Sequence, residues 1–351
     1  MPQLERLGQV TIPSGRLLVV DTGLLNLWCH DEAPLLPEGE LSSPEATEAA
    51  NRSQDFRIEG RDAARAAELF DRQPQRRWLF DIPPHGVATI ERAFADLVRQ
   101  HGLDARLVPA SPRLTHLRRA REAITDGPGG FLMHGVPLVA CGGLPAHSLD
   151  VVGERRGAEP WPNCWSWVGV QVCDHAVAME QRVGDVGVDW ARLMFVDVEA
   201  LAHWNHHDPL DGRADFVFWG RDAAAAAKRF GAQPLEEGHF GFVDLPIDDV
   251  IARCMPIEEA RERGEYRMAT DFRPHTQHYR LLEQMRPSPT ESGTLALGAS
   301  QCCAFFTTWG DGIFPVFRDV DAEGRLVRIR VQLGTALAIR NMDRVNGITA
   351  R

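Results

Sequence analysis

Positions 203–208 crowd His203, His206, His207 and Asp208 into one short stretch. Imidazole nitrogens and carboxylate oxygens are what a divalent cation such as zinc takes as ligands. On a continuous helix, His203 and His207 share a face at i,i+4, and Asp211 and Asp215 offer further oxygens. The pattern lacks the Glu of His-Glu-x-x-His, and Asp208-Pro209 favours the end of a helix. His203, His206, His207 and Asp208 are therefore the candidate metal ligands, with a divalent metal as the implied cofactor. His275 and His278, with Asp215, are the candidate acid–base set, because histidine titrates near neutrality. Trp161, Trp165 and Trp167 offer aromatic anchors for a partner, or else core.

Elements that would position these groups recur along the chain. Arg16–Asp21 (Arg-Leu-Leu-Val-Val-Asp) matches Arg192–Asp197 (Arg-Leu-Met-Phe-Val-Asp), 176 positions on. Trp28 and His30 meet Trp204 and His206 at the same offset. Asp55-Phe56 then meets Asp215-Phe216, and Gly60–Ala64 meets Gly220–Ala224, at an offset of 160. Asp81-Ile82-Pro83 pairs with Asp244-Leu245-Pro246, and His116 and Arg118 with His278 and Arg280. The period is that of a domain rather than of a solenoid repeat. It predicts two related lobes from an internal duplication, with residues 1–157 and 158–351 as the copies and a boundary near Gly153–Pro162. The first copy carries extra residues around Glu38–Ser53, within a stretch, Leu35–Ser53, read as an exposed loop.

Patterning predicts strands at Leu17–Val20, Phe131–Val139, Leu193–Val196, Phe216–Trp219, Cys302–Thr307, Phe314–Arg318 and Leu326–Leu333. Helices are expected after Asp62 and Asp222, over Val87–Arg99, Val198–Trp204 and Val250–Arg263. Strands and helices mix without strict alternation, so the fold class is α+β, with mixed, mostly antiparallel sheets and flanking helices. Asp319–Gly324 copies the opening of a calcium loop, but the twelfth position is Arg330, so a hairpin turn is the better reading.

The chain has 351 residues, with 38 basic against 49 acidic, a net charge of −11. Acidity opposes a nucleic-acid partner and favours encounter with a basic protein. No apolar stretch approaches the roughly 20 residues of a membrane span. Seven scattered cysteines suit a reducing, cytoplasmic setting.

Asp21-Thr22-Gly23, followed by Leu24–Trp28, resembles the first active-site motif of the pepsin-like aspartic proteases. The resemblance implies two carboxylates, one per lobe, sharing a proton. The second copy departs from it, reading Asp197-Val198-Glu199. Three longer pieces, Pro13–Asp21, Val188–Asp197, and Trp309–Val316 with Gly324–Leu326, resemble an uncharacterised bacterial family, domain of unknown function 4241. That family carries no established activity; its association with toxin and immunity genes implies an immunity protein that neutralises a basic toxin domain. Two expectations follow. One is a cytoplasmic protein-binding protein of that kind. The other is an enzyme, a metal-assisted or His/Asp acid–base hydrolase, with its site between the lobes.

Overall fold

The computed structural model describes residues 4–32, 53–71, 79–82, 84–110, 113–127, 129–236 and 238–346. Most of the expected loop at Glu38–Ser53 lies outside them. The strands are β1 (Leu4–Thr11), β2 (Arg16–Val20), β3 (Phe56–Glu59), β4 (Arg106–Pro109), β5 (Gly130–Met133) and β6 (Val136–Gly142). They continue with β7 (Ser148–Arg155), β8 (Trp165–Gln171), β9 (Met179–Val188), β10 (Arg192–Asp197), β11 (Arg213–Trp219) and β12 (Gln233–Pro234). The last six are β13 (His239–Pro246), β14 (Ala269–Pro274), β15 (Ser292–Leu297), β16 (Ser300–Phe306), β17 (Gly312–Val320) and β18 (Leu326–Gln332). The helices are α1 (Ala63–Asp71), α2 (Pro84–His101), α3 (His116–Asp126), α4 (Ala223–Phe230), α5 (Ile247–Glu262), α6 (Gln277–Met285) and α7 (Ala336–Val345). The class is α+β, and every strand pairing among the described residues is antiparallel. No helix among them is long and apolar enough to cross a membrane.

The chain forms two compact units, Met1–His203 with Met285–Arg351, and Trp204–Gln284. The division expected at residues 157 and 158 falls instead in the hairpin joining β7 to β8, which are paired strands of one sheet.

The larger unit is built on a sheet ordered β5-β6-β2-β10-β16-β1-β7-β8-β18-β17-β9, with β15 also on β16. Leu17–Val20 and Leu193–Val196 are fully buried, so these central strands are covered on both faces. That is why they read as unbroken apolar runs rather than alternating ones. The outermost strands of the path return to one another, curling the sheet towards a barrel. Glycines permit this approach: a Cβ on Gly187 of β9 would stand 2.6 Å from Val136 Cγ1, and one on Gly184 would stand 3.2 Å from Gly130 Cα. Trp165, Phe195, Phe305 and Phe314 fill the interior. In the same unit, the β3–β4 ribbon packs with α1 and α2 around Phe56, Phe70 and Phe94.

The smaller unit is a four-stranded sheet, β12-β13-β11-β14. Ala214, Phe216 and Phe218 alternate along β11 and meet Ala223, Ala226 and Ala227 of α4 and Val250 and Ile257 of α5. Gly231, in the left-handed region, ends α4 and donates its N–H to Ala227 O.

Two expected elements take other forms. Phe131–Val139 is a hairpin, because His134 and Gly135, at φ 47° and 79°, make a two-residue turn between β5 and β6. Val198–Trp204 forms only a short 3-10 turn, Glu199–His203.

Candidate functional site

Asp81, His116 and His134 are the one set of three metal-type side chains among the described residues whose ligand atoms lie within 4.8 Å of one another. Three local structures bring them together. Asp81 sits at φ 50°, a conformation Asp tolerates better than most residues. Its N–H is held by Asp55 Oδ1 at 2.8 Å, beside the backbone bridge between Gln54 and Ile82. Thr115 caps α3 through its hydroxyl, which accepts from Arg118 N at 3.2 Å. The helix then presents His116 and Arg119 on one face. The tight β5–β6 turn places His134.

Asp81 is saturated with donors. Its carboxylate takes Arg119 Nη1 at 2.6 Å and Nη2 at 3.1 Å, the His134 backbone N–H at 3.0 Å, and His116 Nε2 at 3.3 Å. Arg119 Nη2 also reaches Asp55 Oδ2 at 2.9 Å. Burial opposes ionisation of Asp81, but the His116 and Arg119 hydrogen bonds outweigh it and hold the carboxyl well below the usual range. Burial pushes the His116 imidazole down, and the His134 imidazole down to about 4, so both are neutral at pH 7. Burial also raises the Cys29 thiol to about 11, which leaves it unreactive.

The tautomer of His116 follows from its partners. The Cys29 backbone N–H donates to Nδ1 at 3.2 Å, so Nδ1 is bare and the proton of the neutral ring is on Nε2, pointing at Asp81. A metal needs the lone pair that this proton occupies, and Arg119 already neutralises the carboxylate. The residues do not fit a metal ion; they fit a buried ion network that ties α3 to the Asp81 turn and the β5–β6 hairpin.

The residues marked by the sequence are distributed differently. His203 ends the 3-10 turn of the larger unit, so no helix joins it to His207. Within the smaller unit, His206 Nδ1 accepts from Trp204 Nε1 at 3.3 Å, its ring lies against His278 and His207, and Asp208 is held by Asn205. His206, His207 and Asp208 do not gather into a three-ligand set. Trp165 and Trp167 are buried, at 0% and 7% exposure, and only Trp161 reaches the surface. Asp21 continues β2 past Val20, which faces Met194, whereas Asp197 faces Leu17. Their attachment points are thus four residues apart, about 13 Å along the strand. No proton can be shared across that gap.

His275 and Asp215 do meet. His275 Nε2 lies 3.2 Å from Asp215 Oδ1, and its Nδ1 lies 3.0 Å from Asp211 Oδ2, which also accepts Arg280 Nη2 at 2.6 Å. Burial works against the charged ring, but the Asp211 and Asp215 carboxylates outweigh it and raise the imidazole above its ordinary value. With a carboxylate on each nitrogen, His275 has both ring positions occupied. His278, one helical turn on, packs instead against the His206 and Tyr279 rings.

Both networks share one device. Asp215 Oδ1 accepts Asp244 N at 2.7 Å as Asp55 accepts Asp81 N, and Asp244 is likewise left-handed at φ 53°. The Asp81–His116–His134 cluster escaped a reading based on local spacing, because its members lie far apart in sequence. The signal that could have found it is the pairing of Asp81 with Asp244 and of His116 with His278. No family model matches this chain, and no curated protein or solved structure matches it.

Proposed function

We propose that this is a protein-binding protein whose partner is basic, with the outer face of α5 as its contact surface. The observation that carries this reading is the make-up of that face. Ile251 and Met255, at i,i+4, are 39% and 55% exposed, although α5 buries Val250, Ile257 and Ala260 on its other side. Exposed Asp248 and Asp249 precede them in the first turn, and exposed Glu259 and Glu262 follow. Apolar contacts rimmed by like charge are what a basic, amphipathic partner recognises. The net charge of −11 would speed its capture. An immunity protein that covers a basic toxin domain is the sharpest form of this reading. The Asp81 carboxylate and both His275 nitrogens are occupied, which supports it, although the buried His134 Nε2 has no hydrogen-bond partner among the described residues.

The two copies are further proposed to descend from one duplicated module. Gly60 and Gly220 share φ values of 128° and 124°. Asp62 accepts Asp104 N and Asp222 accepts Arg267 N, both at 2.8 Å. Trp28 donates to His30, and Trp204 to His206, both at 3.3 Å.

The test is reconstitution. A purified partner should bind the full chain stoichiometrically, lose affinity as salt rises, and lose at least about tenfold when Ile251→Ser and Met255→Ser are combined, given the area those side chains expose. A neutral partner, or binding indifferent to both salt and that pair, would sink the reading.

A further inference from the structure

Where β6 and β9 approach, the larger unit opens a cavity of about 330 Å³ lined by Ile124, Cys141, Gln181, Val183, Arg318 and Val320, among others. Arg182 is also in the wall, and so are two further polar residues, Gln181 and Arg318. Gln181 and Arg318 stand directly opposite one another in the register of β9 and β17. Arg318 shares its strand face with Val316 and Val320, which are 0% and 2% exposed, so its stem runs along the apolar inner wall of the sheet.

Arg318 is half-buried, and it makes no hydrogen bond or ion pair among the described residues. The acids on these strands are committed elsewhere. Asp185 binds Arg182, Glu180 pairs with Arg330 at 2.8 Å, and Asp319, on the opposite face, takes Arg328 and Arg330 at 2.6 and 2.8 Å. Nearly every other arginine on this sheet has a carboxylate, and this one, in the cavity wall, has none among the described residues. Gln181 is exposed, and its amide has no partner among the described residues.

We propose that this cavity binds a small organic carboxylate with a short apolar body. The carboxylate would lie bidentate on the Arg318 guanidinium, a geometry that planar fork matches, with the Gln181 amide as a further donor. The apolar body would cover Ile124, Val183 and Val320. The volume falls at the lower end of small-ligand sites.

Titration of the full chain with hexanoate, followed by amide NMR and calorimetry, tests this. Hexanoate should bind saturably and shift the Cys141, Gln181 and Val320 amides. Its affinity should fall at least about tenfold in Arg318→Met, the loss expected for one charged hydrogen-bonding partner. Arg318→Lys should keep part of it. Hexanol, lacking the charge, and inorganic phosphate, lacking the apolar body, should each bind the wild-type chain at least about tenfold more weakly. The comparison of the three probes needs no variant, so it stands even if Arg318→Met fails to fold. Equal binding of hexanol or phosphate, no saturable binding of hexanoate, or a folded Arg318→Met that binds as the wild type does would each overturn the proposal.

Discussion

Asp21 and Asp197 close two neighbouring antiparallel strands by the same set of bonds. Each accepts the backbone N–H two residues on, Gly23 or Glu199. Each also accepts an N–H from the turn before the other strand, Trp190 for Asp21 and Ser14 for Asp197, both at 2.8 Å. Asp21 takes a further N–H from Asp189 at 2.7 Å, and Asp197 takes the Ser14 hydroxyl at 2.8 Å. These carboxylates are reciprocal clasps. Asp21→Ala strands three backbone donors, the buried Gly23 N–H and the part-buried Asp189 and Trp190 N–H groups, and is expected to cost about 3 kcal/mol, with Asp21→Asn costing about half that because one oxygen remains. Urea unfolding would measure both; equal losses would show that the carboxylate's volume, not its hydrogen bonds, holds the turn.

Arg119 pairs with both Asp55 and Asp81, and its side chain is 1% exposed. Arg119→Leu leaves two buried carboxylates without it and should cost about 3–5 kcal/mol in equilibrium unfolding. Under the proposed duplication the corresponding residue is Leu281, which is buried. A variant as stable as the wild type would mean that water replaces the guanidinium.

The His116 tautomer can be observed directly. Nitrogen-15 shifts should report a neutral ring protonated at Nε2 at pH 7 and above, and added zinc should leave that signal unmoved. A proton on Nδ1, or a zinc-dependent shift, would reopen the metal reading.

Stability should peak near neutral pH. His275 is raised above its ordinary 6.5, so its contribution is complete below about 6.5 and is lost as pH rises through the folded value. His134 is depressed from 6.5 to about 4, so its contribution is complete above about 6.5 and is lost as pH falls towards 4. His116 shifts the same way as His134. Thermal melts from pH 4 to 9 should give a dome; His275→Gln should flatten only the alkaline side. Loss of the acid side in that variant would contradict the assignment.

Gly187→Val is expected to cost about 1–3 kcal/mol or more, since its first carbon alone already meets Val136 and Pro137, at 2.6 and 3.0 Å. Pairing it with Val136→Ala should recover part of the loss, read from denaturation midpoints.

The central strands were legible because burial on both faces leaves an unmistakable apolar run, as at Leu17–Val20 and Leu193–Val196. The contact between His275 and Asp215 was also legible as a pair, though not the second carboxylate that occupies the other nitrogen. The Asp81 cluster was not, because it depends on left-handed conformations at Asp81 and His134 that no periodicity signals. The tryptophans were ambiguous in principle: Trp165 and Trp167 look like anchors in sequence and serve as core, since bulk suits either use.

The strand order of the large sheet also dictates a schedule. β1 lies between β7 and β16, and β2 is joined to β16 through β10, so the middle of the sheet unites residues from both ends of the chain. As the nascent polypeptide leaves the ribosome, β1 and β2 emerge long before Ser300–Phe306 is made. The stretch Trp204–Gln284 has its own core and emerges whole in that interval. It can therefore condense while the larger sheet still waits for its keystone strand, with the edges of β1 and β10 unpaired. Chaperone dependence during synthesis should thus track the time taken to reach residue 306, rather than the stability of the finished molecule.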